Sequence, residues 1–276
     1  MKIDSHIHFL EYNEVEYPWI NNSMELLKNR FLPGNLEELI NQIQFDGVVA
    51  IQARQLLKET EWLLDLAEKH KIVKGVVGWV DLCSNNVGEQ LEKYAKQTKL
   101  KGVRHVIHDE PDDDFMLRKD FGKGIGLLKE FGLTYDLLIF ERHLPQTIKL
   151  VKKHPEQLFV INHIAKPNIN KHKVSKSWYE HMKILSTFEN VYCKVSGLVT
   201  EVEWDNDDLS IFNAYLDKVF ELFPSNKLMI GSDWPVCTLA KNYQSVMNIV
   251  MNYIKKFPKQ DQANVLGKTC STFYNL

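Results

Sequence analysis

The sequence lacks the features that would tie it to nucleic acid or to a membrane. Its 34 lysines and arginines nearly balance 36 aspartates and glutamates, so the formal net charge is only −2. No excess of one sign is present to attract a polyanion or an anionic lipid surface. No run of about 18 apolar residues is long enough to span a bilayer. We therefore expect neither a nucleic-acid partner nor a membrane partner.

Cysteine is scarce, and nucleotide-binding motifs are missing. The four cysteines are far apart and form no C-x-x-C pair. Because the first residues also carry no apolar run of the signal-peptide type, we expect reduced thiols and a cytoplasmic protein. No G-x-G-x-x-G follows an early strand and no G-x-x-x-x-G-K-[ST] occurs, so a nucleotide site has no motif in this chain.

What the sequence does contain is a repeated alternation of short apolar segments with helical segments. The apolar segments begin at the amino terminus and then near residues 47, 75, 102, 133, 158, 191 and 227. Continuous apolar runs are typical of parallel strands that are buried on both faces. Eight such units in 276 residues, 44% of them hydrophobic, predict an α/β fold, a single-domain (β/α)8 TIM barrel over residues 1–276. An open doubly wound sheet is the rival architecture.

The connections between the apolar segments carry helical patterns. Helices are predicted from Asn35 and near residues 58–70, 87–97, 121–131, 144–154, 177–187, 209–223, 243–257 and 260–273. Asn35 is a candidate N-cap, because Glu38 follows it at the spacing of a capping box. The stretch Phe9–Pro33, which holds Trp19, is too long for a simple connector, and it predicts a functional loop or a partly helical insertion.

Two histidines, His6 and His8, end the first predicted strand. Side chains of a strand alternate between its faces, so Asp4, His6 and His8 project from one face. Two imidazoles at this spacing can converge on one zinc ion, and a nearby carboxylate can orient them. Ten histidines in 276 residues make one such pair unsurprising by chance, so a pair of solvated strand-end histidines is the alternative.

Nearly all of the remaining predicted strands also have polar side chains at their carboxyl ends. The active sites of TIM barrels lie at these ends. His163 follows one apolar run and Asp233 follows another. Arg104 is predicted to face the barrel interior as a clamp on an anion or a carbonyl, and His105 therefore faces outward. The sequence thus predicts a catalytic site at this end, and it predicts solvated positions for His70, His154, His172 and His181.

These residues lie in motifs that resemble the amidohydrolase superfamily in its amidohydrolase-related (type 2) branch. The finer resemblance is to the sugar lactonases of the L-fuconolactonase and L-rhamnonolactonase group, which are related to 2-pyrone-4,6-dicarboxylate lactonase. The motifs span nearly the whole chain in order: Asp4-Ser5-His6-Ile7-His8-Phe9, Tyr17-Pro18-Trp19, Gly75-Val76-Val77-Gly78-Trp79-Val80-Asp81, Lys101-Gly102-Val103-Arg104-His105, Arg142-His143-Leu144-Pro145, Asn162-His163-Ile164-Ala165-Lys166-Pro167, Cys193-Lys194-Val195-Ser196-Gly197-Leu198-Val199-Thr200-Glu201 and Gly231-Ser232-Asp233-Trp234-Pro235-Val236.

The resemblance implies a distorted barrel and a hydrolase that opens a small sugar lactone to its acid with an activated water. It implies one divalent metal, with zinc as the first candidate, and metal-independent activity is the alternative. The expected metal ligands are His6, His8, His163 and Asp233. The wider superfamily usually adds a lysine or glutamate on the fourth strand. Here that strand offers Arg104 and His105, which puts a two-metal site in doubt. Asn162 stands where many relatives have aspartate, and this change is expected to weaken a contact to His163.

Roles for the site residues follow from the chemistry of lactone hydrolysis. Asp233 is the expected general base, while the histidines either hold a metal or donate hydrogen bonds to the carbonyl. Asp233, His163 and Arg104 form the expected catalytic set. The expected substrate-binding residues are Gln52, Arg142, His143, Lys194 and Trp234. A metal-dependent decarboxylase and a non-catalytic sugar-binding protein are the alternative functions, and the oligomeric state is left open, a homo-oligomer included.

Overall fold

The fold is built on a barrel of parallel strands. The structure, a computed structural model, describes residues 1–169 and 173–276, so His172 lies outside the described residues. The strands are β1 (Ile3–Ile7), β2 (Leu10–Glu11), β3 (Arg30–Phe31), β4 (Gly47–Ile51), β5 (Val73–Gly78), β6 (Leu100–His105), β7 (Thr134–Leu137), β8 (Phe159–Ile161), β9 (Val191–Val195) and β10 (Leu228–Ile230). Eight of them form one parallel sheet in the order β1-β4-β5-β6-β7-β8-β9-β10. The predicted (β/α)8 barrel is confirmed.

Helices pack around this sheet, and the last of them closes one end of the barrel. They are α1 (Pro33–Gln42), α2 (Leu57–Lys69), α3 (Val87–Ala95), α4 (Lys119–Leu128), α5 (Leu144–Lys153), α6 (Lys176–Ser186), α7 (Asn213–Leu222), α8 (Tyr243–Tyr253), α9 (Lys259–Ala263) and α10 (Thr269–Tyr274). Among the residues described, no helix combines the length and the apolar character needed to cross a membrane.

The alternation of side chains along each strand produces two separate cores. In β4, Val48 and Ala50 face outward into the large core between sheet and helices, whereas Val49 and Ile51 face the barrel interior. Both sets are fully buried, which explains why the strands read as continuous apolar runs. The amino-terminal half of the interior is closed from below by α10 and is lined by Ile3, Val49, Ile51, Val77, Val160, Met229, Cys270, Phe273 and Tyr274. We call this set the apolar half.

Two helix predictions are wrong in detail. Helix α1 begins at Pro33, and Asn35 is its third residue; its Oδ1 accepts the Leu32 N–H at 2.8 Å instead of capping from outside. The last predicted helix is divided into α9, a π-helical turn at Asn264–Lys268 and α10. The division lies where the chain presses against the first strand, since a Cβ on Gly267 would lie 2.3 Å from the Met1 carbonyl oxygen.

The long stretch before α1 is a partly helical insertion, one of the two predicted possibilities. It leaves and rejoins the barrel through the antiparallel pair β2–β3, with a 3₁₀ segment at Asn22–Leu27 between them. We call residues 9–33 the cap. Its small core also contacts Ala53, Val236 and Leu239, which follow β4 and β10; the buried members of that core are Leu10, Tyr17, Ile20 and Leu27. The cap therefore lies on the carboxyl end of the barrel.

Candidate active site

Three of the predicted metal ligands converge at the carboxyl end of the barrel. The Nε2 atoms of His6 and His8 are 3.3 Å apart. Asp233 Oδ1 lies 3.3 Å from His8 Nε2 and 3.7 Å from His6 Nε2. One ligand atom from each of the three residues lies within 4.8 Å of the others, a geometry that one metal ion could occupy.

Backbone contacts between β1 and the loop after β10 bring these three side chains together. The Asp233 N–H donates to the His6 carbonyl oxygen at 2.8 Å, and the His8 N–H donates to the Trp234 carbonyl oxygen at 2.7 Å. Asp4 reinforces this seam, since its Oδ1 accepts the backbone N–H groups of His6 and Ser232 at 3.1 and 2.9 Å. The barrel is thus closed at the level of the site, and Asp4 positions backbone, not an imidazole ring.

His163 approaches the same carboxylate from β8. Its Nε2 lies 3.8 Å from Asp233 Oδ1, and its Nδ1 lies 2.9 Å from Ser196 Oγ. It does not belong to the three-residue group that could hold a metal. The contact with Ser196 depends on Gly197, because a Cβ there would lie 2.4 Å from His163 Nδ1. Ser196 was not predicted as a site residue.

The turn that carries His163 is left-handed. The φ angles of residues 163–166 are 53°, 47°, 65° and 46°, a conformation that costs a non-glycine residue about 1–2 kcal/mol. Asp233 also has a positive φ, of 62°. Such conformations persist only where the surrounding structure imposes them, and they concentrate at functional sites. Two of the four predicted site ligands therefore sit on strained backbone.

Arg104 lies directly behind the histidines, as predicted from its place on β6. Its Nε and Nη2 donate to Gln52 Oε1 at 3.1 and 2.8 Å. Its Nη1 lies 3.3 Å from His6 Nε2 and also donates to Asn162 Oδ1 at 3.3 Å. The Asn162 amide therefore serves Arg104, and none of the hydrogen bonds of the described residues joins it to His163. The predicted weakening of a contact to His163 stays a prediction.

A buried ion pair lies deeper on the same side. Lys194 Nζ donates to Asp136 Oδ2 at 2.6 Å, and both side chains are fully buried. Asp136 also accepts from Asn162 Nδ2 at 2.9 Å and from the Tyr274 hydroxyl at 2.7 Å. Lys194 Nζ reaches to 3.5 Å from His6 Nδ1, so Lys194 supports His6 from below. We call His6, Gln52, Arg104, Asp136, Asn162 and Lys194 the polar half of the interior.

Burial sets the protonation of these groups. Burial, with the positive charges of neighbouring groups, holds the pKa values of His6 and His163 well below the usual histidine range, and burial also lowers the pKa of His8. Burial alone would raise the pKa of Asp233, but the neighbouring His163, His8 and Lys166 outweigh it and lower that pKa to about 2. Neutral imidazoles therefore face an ionised carboxylate.

This protonation fits a divalent cation. His8 Nδ1 lies 2.8 Å from the Ile51 carbonyl oxygen, which can only accept, so the ring proton is on Nδ1 and Nε2 presents a lone pair toward Asp233. Two neutral nitrogens and one carboxylate oxygen are ligands that zinc accepts. A family model described as amidohydrolase matches residues 3–276 of the chain.

The chain belongs to the amidohydrolase family. The resemblance predicted from the motifs is confirmed. The chain is 34% identical to an L-fucono-1,5-lactonase of Burkholderia multivorans over 100% of its own length and 96% of that protein. It is 24% identical to an L-rhamnono-gamma-lactonase of Scheffersomyces stipitis, with 86% of each chain covered. A solved structure of a Burkholderia multivorans amidohydrolase with bound Zn matches with a TM-score of 0.96 at 34% identity, covering 100% and 99% of the two chains.

The predicted substrate-binding residues of this amidohydrolase are spread over different depths. Gln52 and Lys194 are fully buried in the polar half. Trp234 is 3% exposed and packs edge-on against Phe31, with ring centroids 5.4 Å apart. The structure does not bring these three to one surface that a ligand could touch.

The other two predicted substrate residues follow β7 at the rim of the barrel. Arg142 is half exposed and donates to Asp113 at 3.0 Å. The His143 side chain is fully buried, and its Nε2 lies 3.0 Å from the same Asp113 carboxylate. The substrate-binding roles of all five residues stay predictions.

The site of this amidohydrolase is nearly enclosed. His8, Asp233 and His163 retain only 5%, 4% and 3% of their surface in contact with solvent. The cap carries Trp19, whose indole nitrogen is buried without a hydrogen-bond partner among the described residues. Little solvent therefore reaches these side chains, which strengthens the electrostatic interactions among them.

Proposed function

We propose that this amidohydrolase opens a small sugar lactone, an aldonolactone, to its hydroxy acid by hydrolysis. The observation that carries the proposal is its similarity, over the whole chain, to an L-fucono-1,5-lactonase. An enclosed site with an ionised carboxylate and neutral imidazoles supports the same chemistry. We further propose that residues 1–276 act as one catalytic domain and that the substrate is a free small molecule.

Asp233 is the proposed general base. Its low pKa keeps it ionised, and it is proposed to accept a proton from a water molecule held among His6, His8 and His163. The oxygen of that water forms a bond to the lactone carbonyl carbon. When the acyl carbon–ring oxygen bond breaks, the ring oxygen takes the proton back from Asp233, so water is added across the ester bond and no other reactant is needed.

Arg104 and the histidines are proposed to stabilise the developing oxyanion. Burial lowers the pKa of Arg104 to about 10, so the guanidinium remains charged at neutral pH. Its charge lies 3.3 Å from His6 Nε2, in a site with little solvent to screen it. Fixed positive charge close to a forming anion is an effective form of transition-state stabilisation.

A single zinc ion is the proposed cofactor, held by His6, His8 and Asp233. When bound, it would supply Lewis-acid polarisation of the lactone carbonyl. The buried charges of Arg104 and Lys194 lie on either side of His6 and disfavour a second cation there. We therefore propose at most one metal, with His163 left to contact substrate.

The test is acid release, followed with a pH indicator, over a panel of five- and six-membered sugar lactones with and without a chelator. Turnover of a few related lactones is expected, and its loss with chelator would assign the histidines to a metal. No release from any lactone would overturn the proposal. Carbon dioxide release from a carboxylic acid would then favour a decarboxylase, and binding without turnover would favour a sugar-binding protein.

A further inference from the structure

His108 differs from the other histidines at the carboxyl end of the barrel. Among the described residues, its Nδ1 is the one histidine ring nitrogen that is buried and has no hydrogen-bond partner. In five other histidines at this end, Nδ1 contacts a specific atom: Lys194 Nζ for His6, the Ile51 oxygen for His8, the Trp79 indole nitrogen for His105, the Phe140 nitrogen for His143 and Ser196 Oγ for His163. Buried polar atoms without partners are rare enough to need an explanation.

The position of the His108 ring is fixed. It lies in the 3₁₀ turn Ile107–Asp109 that follows β6. Its backbone N–H donates to the Leu138 carbonyl oxygen at 3.2 Å, and its own carbonyl oxygen accepts from Arg142 at 3.3 Å. The ring stacks on Phe140 with centroids 4.6 Å apart and planes 20° apart. Because backbone and ring are both held, the free nitrogen has a defined direction.

The ring is neutral, and its proton is on the other nitrogen. Nε2 lies 3.4 Å from Asp109 Oδ1, a carboxylate that can only accept, so we assign the ring proton to Nε2 and a lone pair to Nδ1. Burial, followed by the charges of Lys166 and Arg104, lowers the pKa of His108 to about 3. His108 follows β6, the strand that carries Arg104, so it lies at the carboxyl end of the barrel, where the site is.

We propose that His108 is a substrate-recognition residue whose Nδ1 accepts a hydrogen bond from a hydroxyl group of the lactone. This inference rests on the proposed lactonase function and deepens it, because it requires a polyhydroxylated substrate. A simple lactone without ring hydroxyls would leave Nδ1 unpaired in the complex. Sites that are built to bind a substrate hydroxyl discriminate strongly against analogues that lack it.

The experiment compares variants on matched substrates. The lactone that the wild-type protein turns over is assayed beside analogues that each lack one ring hydroxyl. His108→Phe keeps the stacking on Phe140 and removes both nitrogens. His108→Asn keeps a polar atom at the same number of bonds from Cα as Nδ1, whereas His108→Gln keeps one at the distance of Nε2. Thermal melts of all three variants test whether they fold.

For one deoxy analogue, the wild-type protein should lose about tenfold in kcat/KM, the effect of one hydrogen bond. His108→Phe and His108→Gln should lose about tenfold on the parent lactone and little on that analogue, and His108→Asn should recover most of the loss. Equal losses on all substrates, or none, would overturn the inference, since Nδ1 would then serve only the fold or bind only water. If the wild-type protein opens no lactone, the proposed function fails first and the inference with it.

Discussion

The two halves of the barrel interior are built from the same strands and have opposite chemistry. In β8, Val160 lies in the apolar half, and Asn162, two residues further on the same face, lies in the polar half. On β9, Lys194 enters the polar half with a fully buried ammonium group. The amino-terminal half thus gains stability from apolar burial, while the carboxyl-terminal half buries charges that cost stability unless each is paired.

The barrel can carry buried charges and remain folded because those charges are confined to one half of its interior. The polar half contains two buried cations, Arg104 and Lys194, and one buried anion, Asp136. The uncompensated positive charge lies against His6 and faces ionised Asp233 across the site. Burial first, and then this charge, lowers the pKa of the His6 imidazole. Among the described residues, the apolar half joins this network through the Tyr274 hydroxyl, which donates to Asp136 from α10 below.

The largest expected effect belongs to the carboxylate that faces the substrate. Asp233→Asn removes the proposed base and keeps the shape of the side chain, so kcat should fall by about two to four orders of magnitude. Circular dichroism should show the native fold. Asp65→Asn makes the same change on the exposed face of α2 and should leave kcat unaltered. Near-normal turnover by Asp233→Asn would refute its role.

Breaking the buried ion pair tests the polar half itself. Lys194→Met leaves Asp136 without its cation and should lower the free energy of unfolding by about 3–5 kcal/mol, measured by urea denaturation. The double variant Lys194→Met/Asp136→Asn should be less destabilised than the sum of the single variants, because neither charge is then stranded. Additive losses would show that the pair contributes no coupling.

A substitution in the apolar half should lower the free energy of unfolding and leave kcat unchanged. Met229→Ala leaves a cavity in this half and should cost about 2–5 kcal/mol of unfolding free energy, with kcat unchanged at a temperature where the variant is folded. Met251→Ala, at a partly buried position on α8, is the matched control and should cost less. A fall in kcat for folded Met229→Ala would show that the two halves are not independent.

The smallest expected effect concerns pH and a carboxyl group just outside the polar half. Glu59 accepts the backbone N–H groups of Ala53 and Arg54, and burial raises its pKa to about 7. An unfolded glutamate loses its proton near pH 4.3, so between that pH and 7 the folded state holds the proton more tightly. The free energy of unfolding should therefore fall by at most about 1.4 kcal/mol per pH unit as pH rises through this window.

The matched pair for this prediction is Glu59→Gln against Glu61→Gln, which lies on the exposed side of the same helix. The first variant should flatten the pH profile of the unfolding free energy between pH 4.3 and 7. The second should leave the slope in place. An unchanged slope in Glu59→Gln would mean that the buried carboxyl is not the source of it.

Much of the site could be predicted because a parallel barrel places all strand ends on one rim. His6, His8, His163 and Asp233 each follow an apolar run, and three of them meet as expected of ligands. Asp136 could have been found as the lone charge in the apolar run of residues 133–139. The role of Tyr274 could not be predicted, because its partner Asp136 is 138 positions away. No neighbouring residue in the sequence indicates that its hydroxyl makes a buried hydrogen bond.

The sequence by itself determined the eight strands, their helices, the family motifs and the polar residues at the rim, because hydrophobic periodicity is set by near neighbours along the chain. Only the tertiary structure decided which polar groups pair. It placed Lys194 under His6 across 188 positions, turned residues 163–166 into a left-handed turn and left His108 Nδ1 free. The contact between Lys194 and His6 depends on the closure of β1 against the loop after β10, which exists only once the barrel has formed.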